Sequence, residues 1–186
     1  MPDNYHPDVE WGLLIWLHPN GNGLEAETLR SWEAACRERG IILLGPRATE
    51  ISGWSDDEAA EIVKMVDWVR ERYRIDPARV AVIGAGSATP FAARLAFRER
   101  DLVRGLMLVR GGFRSPPPEN NPDSPLHFVL VPTDDAQRKS LDELAKALRE
   151  MKLPTALLDN SDNDHGPFPA SLVESLANWL DALDRI

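Results

Sequence analysis

Cysteine is almost missing from this chain. Cys36 is the only one among 186 residues, which excludes an internal disulfide framework and leaves the redox compartment open. It lies in Trp32-Glu-Ala-Ala-Cys36, on the apolar side of an expected helix, where a buried inert thiol is the natural reading. Metal patterns are missing as well. Four histidines with no cysteine cluster and no H-E-x-x-H spacing offer no metal site, and no cofactor is expected. Positive charge is scarce: 21 Lys and Arg against 30 Asp and Glu give a net charge of −9 and a pI of about 4.9. Non-specific nucleic-acid affinity needs a basic surface, so a nucleic-acid partner is not expected. A transmembrane helix needs about 20 apolar residues, and the apolar runs here are far shorter, so no membrane partner is expected either. No basic segment followed by an apolar one reads as a signal peptide. That points to the cytoplasm for a complete protein, while export stays open for a domain excised from a larger protein.

What remains is an ordinary globular composition, 43% hydrophobic with a mean hydropathy of −0.32. The length suits one domain over residues 1–186 with a substantial core. Continuous apolar runs at Gly12–His18, Ile41–Leu44, Val80–Ile83, Leu106–Val109, His127–Val131 and Thr155–Leu158 read as strands buried on both faces. Between them apolar residues recur at helical spacing. Leu29, Trp32, Ala35 and Cys36 mark one helix, and Ile62, Met65, Val66, Val69 and Tyr73 a second. Leu141, Leu144, Ala145, Leu148 and Met151 mark another, and Leu172, Val173, Leu176, Trp179 and Leu183 the last. Ser55-Asp-Asp-Glu58 has the form of a capping box, and Asp76-Pro77 ends the helix it starts. Six strands alternating with amphipathic helices predict a compact α/β three-layer sandwich, its sheet mostly parallel and covered on both faces.

The stretch Val80-Ala-Val-Ile-Gly-Ala-Gly-Ser-Ala-Thr-Pro90 organises the chain. A β-branched run stops at small residues, and a helix-compatible segment begins at once. Strand, tight turn and helix is the layout of a nucleophile elbow, whose expected sequence is G-x-S-x-G. Here it is Gly84-Ala85-Gly86-Ser87-Ala88. Gly86 holds the nucleophile's place, and the only serine, Ser87, comes one residue late.

In a parallel sheet, sites form outside the carboxyl ends of the strands. His18-Pro-Asn-Gly-Asn-Gly23 follows the first strand, and its amides at Asn20 or Gly21 could face a carbonyl oxygen as an oxyanion hole. A plain glycine-rich turn explains the same letters. After the fifth strand, Asp135 is the preferred acid for holding a histidine, with capping of the next helix by Asp134 or Asp135 as the alternative. After the sixth, Asp164-His165-Gly166 places His165 as the general base. His18 and His127 adjoin apolar runs and read as structural. The loop over residues 110–125, with five prolines, reads as a stiff connector, or else as a wall over the site.

With elbow, acid and histidine in that order, the chain resembles the α/β-hydrolases, in particular small serine esterases and peptidases of that fold. Leu14-Ile-Trp-Leu-His-Pro19, Ile75-Asp-Pro-Ala-Arg-Val80, the elbow, Arg100-Asp-Leu-Val-Arg-Gly105, Asp135 and His165 carry the likeness over nearly the whole chain. Within that superfamily it is similar to the hydrolase-like domains at the carboxyl end of some bacterial PDZ-containing trypsin-like proteases. Pro2-Asp-Asn-Tyr5, Pro117-Pro-Glu-Asn120 and Trp179-Leu-Asp-Ala-Leu-Asp-Arg-Ile186 carry this second likeness. Those domains often lack the elbow serine, which implies a binding or scaffolding role and other domains of a larger parent protein as partners. The departures here are Gly86 for the nucleophile and Thr89-Pro90 where a second glycine usually sits. Two functions follow. One is a degenerate hydrolase that binds a small ester or peptide without cleaving it. The other is a serine hydrolase of carboxylic esters or amides in which Ser87 works with His165 and Asp135.

Overall fold

Alternation along each strand decides which helices cover which face of the sheet. In the computed structural model, which describes residues 4–21, 25–158 and 168–185, Leu13, Ile15 and Leu17 of β1 (Trp11–Leu17) point to one side, and Leu14 and Trp16 to the other. The remaining strands are β2 (Ile41–Leu44), β3 (Ile75–Ala85), β4 (Gly105–Val109), β5 (His127–Val131) and β6 (Thr155–Leu157). They pair in the order β2-β1-β3-β4-β5-β6, every pair parallel. Five helices connect or follow them: α1 (Glu25–Arg39), α2 (Glu58–Arg72), α3 (Thr89–Arg98), α4 (Asp135–Glu150) and α5 (Ala170–Ala182).

The first face carries Val80, Val82, Leu106, Leu108, Phe128 and Leu130 and is covered by α2, α3 and α4. The second carries Ala81, Ile83, Met107, Val109, Val129 and Val131 and is covered by α1 and α5. The result is the three-layer sandwich expected from the sequence. Parallel strands covered on both sides have no polar face, which is why these runs show no apolar–polar alternation. Trp32 is fully buried, and Gly105 leaves room for Trp179, because a Cβ there would lie 2.8 Å from its ring.

Some expectations shift. Leu29, Met65 and Met151 lie outside the core, 56%, 42% and 39% exposed, because each sits at the edge of its apolar stripe and its helix turns it outward. Leu180, not named from the pattern, is fully buried instead. The elbow strand begins five residues earlier than its apolar run. Trp11 pairs with Ile75 and Leu13 with Val80, so β3 carries an irregular bulge that contains Pro77, a residue that cannot donate to a regular ladder. Among the described residues no helix is long and apolar enough to cross a membrane, and no group of side chains could hold a metal ion. Cys36 is buried, and burial pushes its thiol up to about 11.

Candidate active site

The strand β3 ends at Ala85 in extended conformation, and the chain then turns through a single 3-10 turn, Gly86–Ala88, into α3. At the apex Gly86 has φ +55, the left-handed region that side chains rarely adopt and that an elbow imposes on its nucleophile residue. The helix leaves so close to the strand that a Cβ on Gly84 would lie 2.6 Å from the Cβ of Ala92. Gly84 therefore does what the first glycine of the motif must do. The second glycine's place, expected at Thr89-Pro90, falls by count on Ala88, which is fully buried. A Cβ on Gly86 would meet only the Cβ of Pro19, at 3.6 Å. The apex thus has room for a Cβ and has none.

Ser87 is exposed one position later and is bonded to the loop after β1. Its Oγ accepts from the Asn20 backbone N–H at 2.7 Å and donates to Asn20 Oδ1 at 2.8 Å. The Asn20 side-chain amide donates in turn to the Ser52 carbonyl, and the Gly21 N–H donates to the Ile51 carbonyl at 3.0 Å. Both amides nominated for an oxyanion hole are thus already hydrogen-bonded within the protein. Freeing the Asn20 amide requires Ser87 to let go.

His18 sets the geometry of this loop. It is buried, with Nδ1 2.8 Å from the Pro19 carbonyl and Nε2 3.1 Å from the Ala48 N–H, so the neutral Nδ1–H tautomer satisfies both nitrogens. Trp54 donates from its indole to the His18 carbonyl at 2.9 Å and stacks on Phe91, which ties the loop to α3. Glu58, from the expected capping box, accepts from the Ser55 and Thr49 N–H groups at 2.6 and 2.7 Å. Burial raises its pKa, but those hydrogen bonds together outweigh burial and leave it below the usual carboxylate value. Beside His18 and Gly21 lies a small cavity of about 280 Å³, lined also by Arg47 and Thr49.

Thr89 is the residue that sequence reasoning missed. Its hydroxyl lies 2.8 Å from the Gly86 carbonyl and 3.0 Å from the Gly112 carbonyl, joining the elbow to the loop after β4. Gly111 makes this possible: a Cβ there would sit 2.3 Å from Thr89 Oγ1 and 2.7 Å from the Gly86 oxygen. The paired glycines after a strand were the available signal. Across the same edge, Asp134 is the N-cap of α4 and accepts from Gln137 N–H at 2.8 Å. That bond, with help from Thr133 and Ala136, holds its pKa below the usual value. Asp135 is the first residue of α4, exposed at the carboxyl edge of β5. His165 lies outside the described residues. His127 is at the opposite edge of the sheet and buried; burial, then the neighbouring Arg104, lowers its pKa.

No protein-family model and no curated protein sequence matches the chain. Solved structures do. A Bacillus cereus carboxylesterase superposes with a TM-score of 0.65 over 97% of this chain and 92% of its own, at 18% identity. A bacterial heroin esterase matches at 0.64 over 99% and 77%, with 19% identity. An esterase of the fungus Rhizomucor miehei matches at 0.64 over 96% and 75%, with 12% identity. The fold is that of the α/β-hydrolases. The turn that follows β3 in this fold presents Gly86 at its apex.

Proposed function

We propose that this is a catalytically degenerate α/β-hydrolase domain, which binds a small ester or peptide or serves as a scaffold within a larger protein. The observation that carries the reading is the apex itself: left-handed backbone, open space beside it, and no side chain at Gly86. Removing the serine of a hydrolytic triad costs about 10⁶-fold in turnover. Ser87 is a poor replacement on geometric grounds. Consecutive Cα atoms lie about 3.8 Å apart, and a misplacement of about 1 Å can cost about 100-fold. Its hydroxyl is also engaged by the backbone N–H and the Oδ1 of Asn20.

The rival reading, a serine hydrolase using Ser87 with Asp135 and His165, draws on one observation: Ser87 exposes the only hydroxyl of the turn, in a fold shared with esterases. Hydrolysis of p-nitrophenyl acetate separates the two. Wild type and Ser87→Ala are expected to match at background, and Gly86→Ser to exceed both. A wild-type rate well above background that disappears in Ser87→Ala establishes the rival.

A further inference from the structure

A cavity of about 670 Å³ opens between α3, α4 and the loop after β4, on the side of the sheet away from α1 and α5. Its volume falls within the roughly 300–1,000 Å³ of small-molecule sites. Pro90, Phe113, Leu141 and Leu144 supply apolar lining, and Arg94 and Arg114 are its cationic lining residues. Glu143 is the single acidic side chain among the described lining. In a chain of net charge −9, the lining itself carries two cations against one carboxylate, and Asp56 pairs with Arg94 beside it.

The walls are preorganised. Gly112 passes so near Leu141 that an added Cβ would lie 3.3 Å from Cδ2, and Thr89 fixes the Gly112 carbonyl. Phe113 is braced edge-on against Phe97. The cations, by contrast, have capacity to spare. Arg94 is ion-paired through Nε with Asp56 at 2.9 Å and lies over the Phe91 ring at 5.8 Å, which leaves only its terminal nitrogens without a hydrogen bond to a described residue. Arg114 is exposed and makes no ion pair among the described residues.

We propose that this cavity is a binding site for an apolar monocarboxylate, held by Arg94 and Arg114 at the rim and by Phe113, Leu141 and Leu144 below. Planar guanidinium groups match a carboxylate bidentately. An apolar floor rejects a fully hydrated ion such as inorganic phosphate. Glu143 and the overall negative charge favour one negative charge over two. Gly86 is not among its lining residues, although Gly111 is, and the proposal holds whether or not the elbow has activity.

The test is calorimetric titration of the whole chain at neutral pH with 1-naphthoate and with its neutral isostere naphthalene-1-carboxamide. Naphthoate is expected to bind saturably at one site, with the amide about tenfold weaker or worse. Arg114→Gln is expected to weaken naphthoate about tenfold while leaving the amide unchanged. Ser140→Trp, which fills the cavity from an exposed position on α4, is expected to abolish both. Both substitutions are at exposed side chains, and circular dichroism verifies that each variant is folded. Equal binding of acid and amide, naphthoate binding indifferent to Arg114→Gln and Ser140→Trp, or no saturable binding at all overturns the proposal.

Discussion

At the amino ends of the strands, charged side chains close on one another; at the carboxyl ends, most of the bonding is done by backbone and neutral groups. Asp181, in the last turn of α5, accepts from Arg39 of α1 and from Arg79 of β3, each at 3.1 Å. Arg79 also binds Asp76 at 3.0 Å and the Glu10 carbonyl at 2.9 Å. One carboxylate thus fastens two helices' ends and the central strand. The carboxyl edge has left-handed backbone at Gly21, Gly53, Gly86 and Arg110, and it is knitted by Asn20, Ser87, Thr89 and Trp54. The left-handed residues toward the other edge, Gly40 and Lys152, fall where helices end, a common place for that conformation. Strain and open space sit together at one edge, and the charge clamps at the other. An edge of the first kind suits ligands; one of the second kind stabilises.

The two glycines of the elbow give the largest contrast. Gly84→Val, which forces α3 off β3, is expected to cost about 3 kcal/mol in urea unfolding. Gly86→Ala meets no clash and bears only the left-handed strain, about 1 kcal/mol. Equal losses at the two positions would mean that the apex is packed rather than open. The amino-edge clamp comes next. Asp181→Asn leaves Arg39 and Arg79 under-compensated at sites 13–28% exposed, and about 1–2 kcal/mol is expected once solvent screening is allowed for. The loss should shrink in 1 M salt, whereas that of Gly84→Val should not.

At the carboxyl edge, Ser87→Ala removes two hydrogen bonds on an exposed residue and is expected to cost under about 1 kcal/mol. Its clearer mark is faster hydrogen exchange at the Asn20 amide, with the Trp11 amide, bonded to Arg74 at the far edge, unaffected. The smallest expected effect is on pH dependence. His127 titrates lower folded than unfolded, so the folded state resists the proton that the unfolded chain accepts. Its contribution to stability is complete above the ordinary histidine pKa of about 6.5 and is lost as pH falls through the lower, folded value. Wild type should therefore lose more stability than His127→Gln between pH 7.5 and 5. A histidine NMR titration that placed His127 at or above the ordinary value would contradict the burial argument.

Most of the fold was legible because the inner strands, buried on both faces, leave a continuous apolar signature; the edge strand β6 shows a similar run yet is only half-buried. Where the reading slipped, a residue lay at the margin of a helical stripe, as Leu29 and Met65 do, or a tertiary pairing extended a strand past its apolar run, as Trp11 with Ile75 does. The elbow was legible because its glycines answer to local sterics. The Ser87–Asn20 pair was half legible: both residues stood out, but for separate roles, since residues 67 apart in the chain meet only when β1 and β3 pair. Thr89 was opaque for the same reason. Its partner Gly112 arrives from another strand's loop, and the paired glycines there mark a close approach without saying which residue approaches. Asp134 shows the opposite case, a helix cap written entirely in neighbouring residues, Thr133 to Gln137.

The central claim is that the turn after β3 offers no competent nucleophile. Intact-mass spectrometry after exposure to a fluorophosphonate probe tests it most directly, with wild type and Gly86→Ser side by side. An unmodified wild-type mass is expected, and an adduct on Gly86→Ser would add that the rest of the site survives. A stoichiometric wild-type adduct mapped to Ser87 would contradict it.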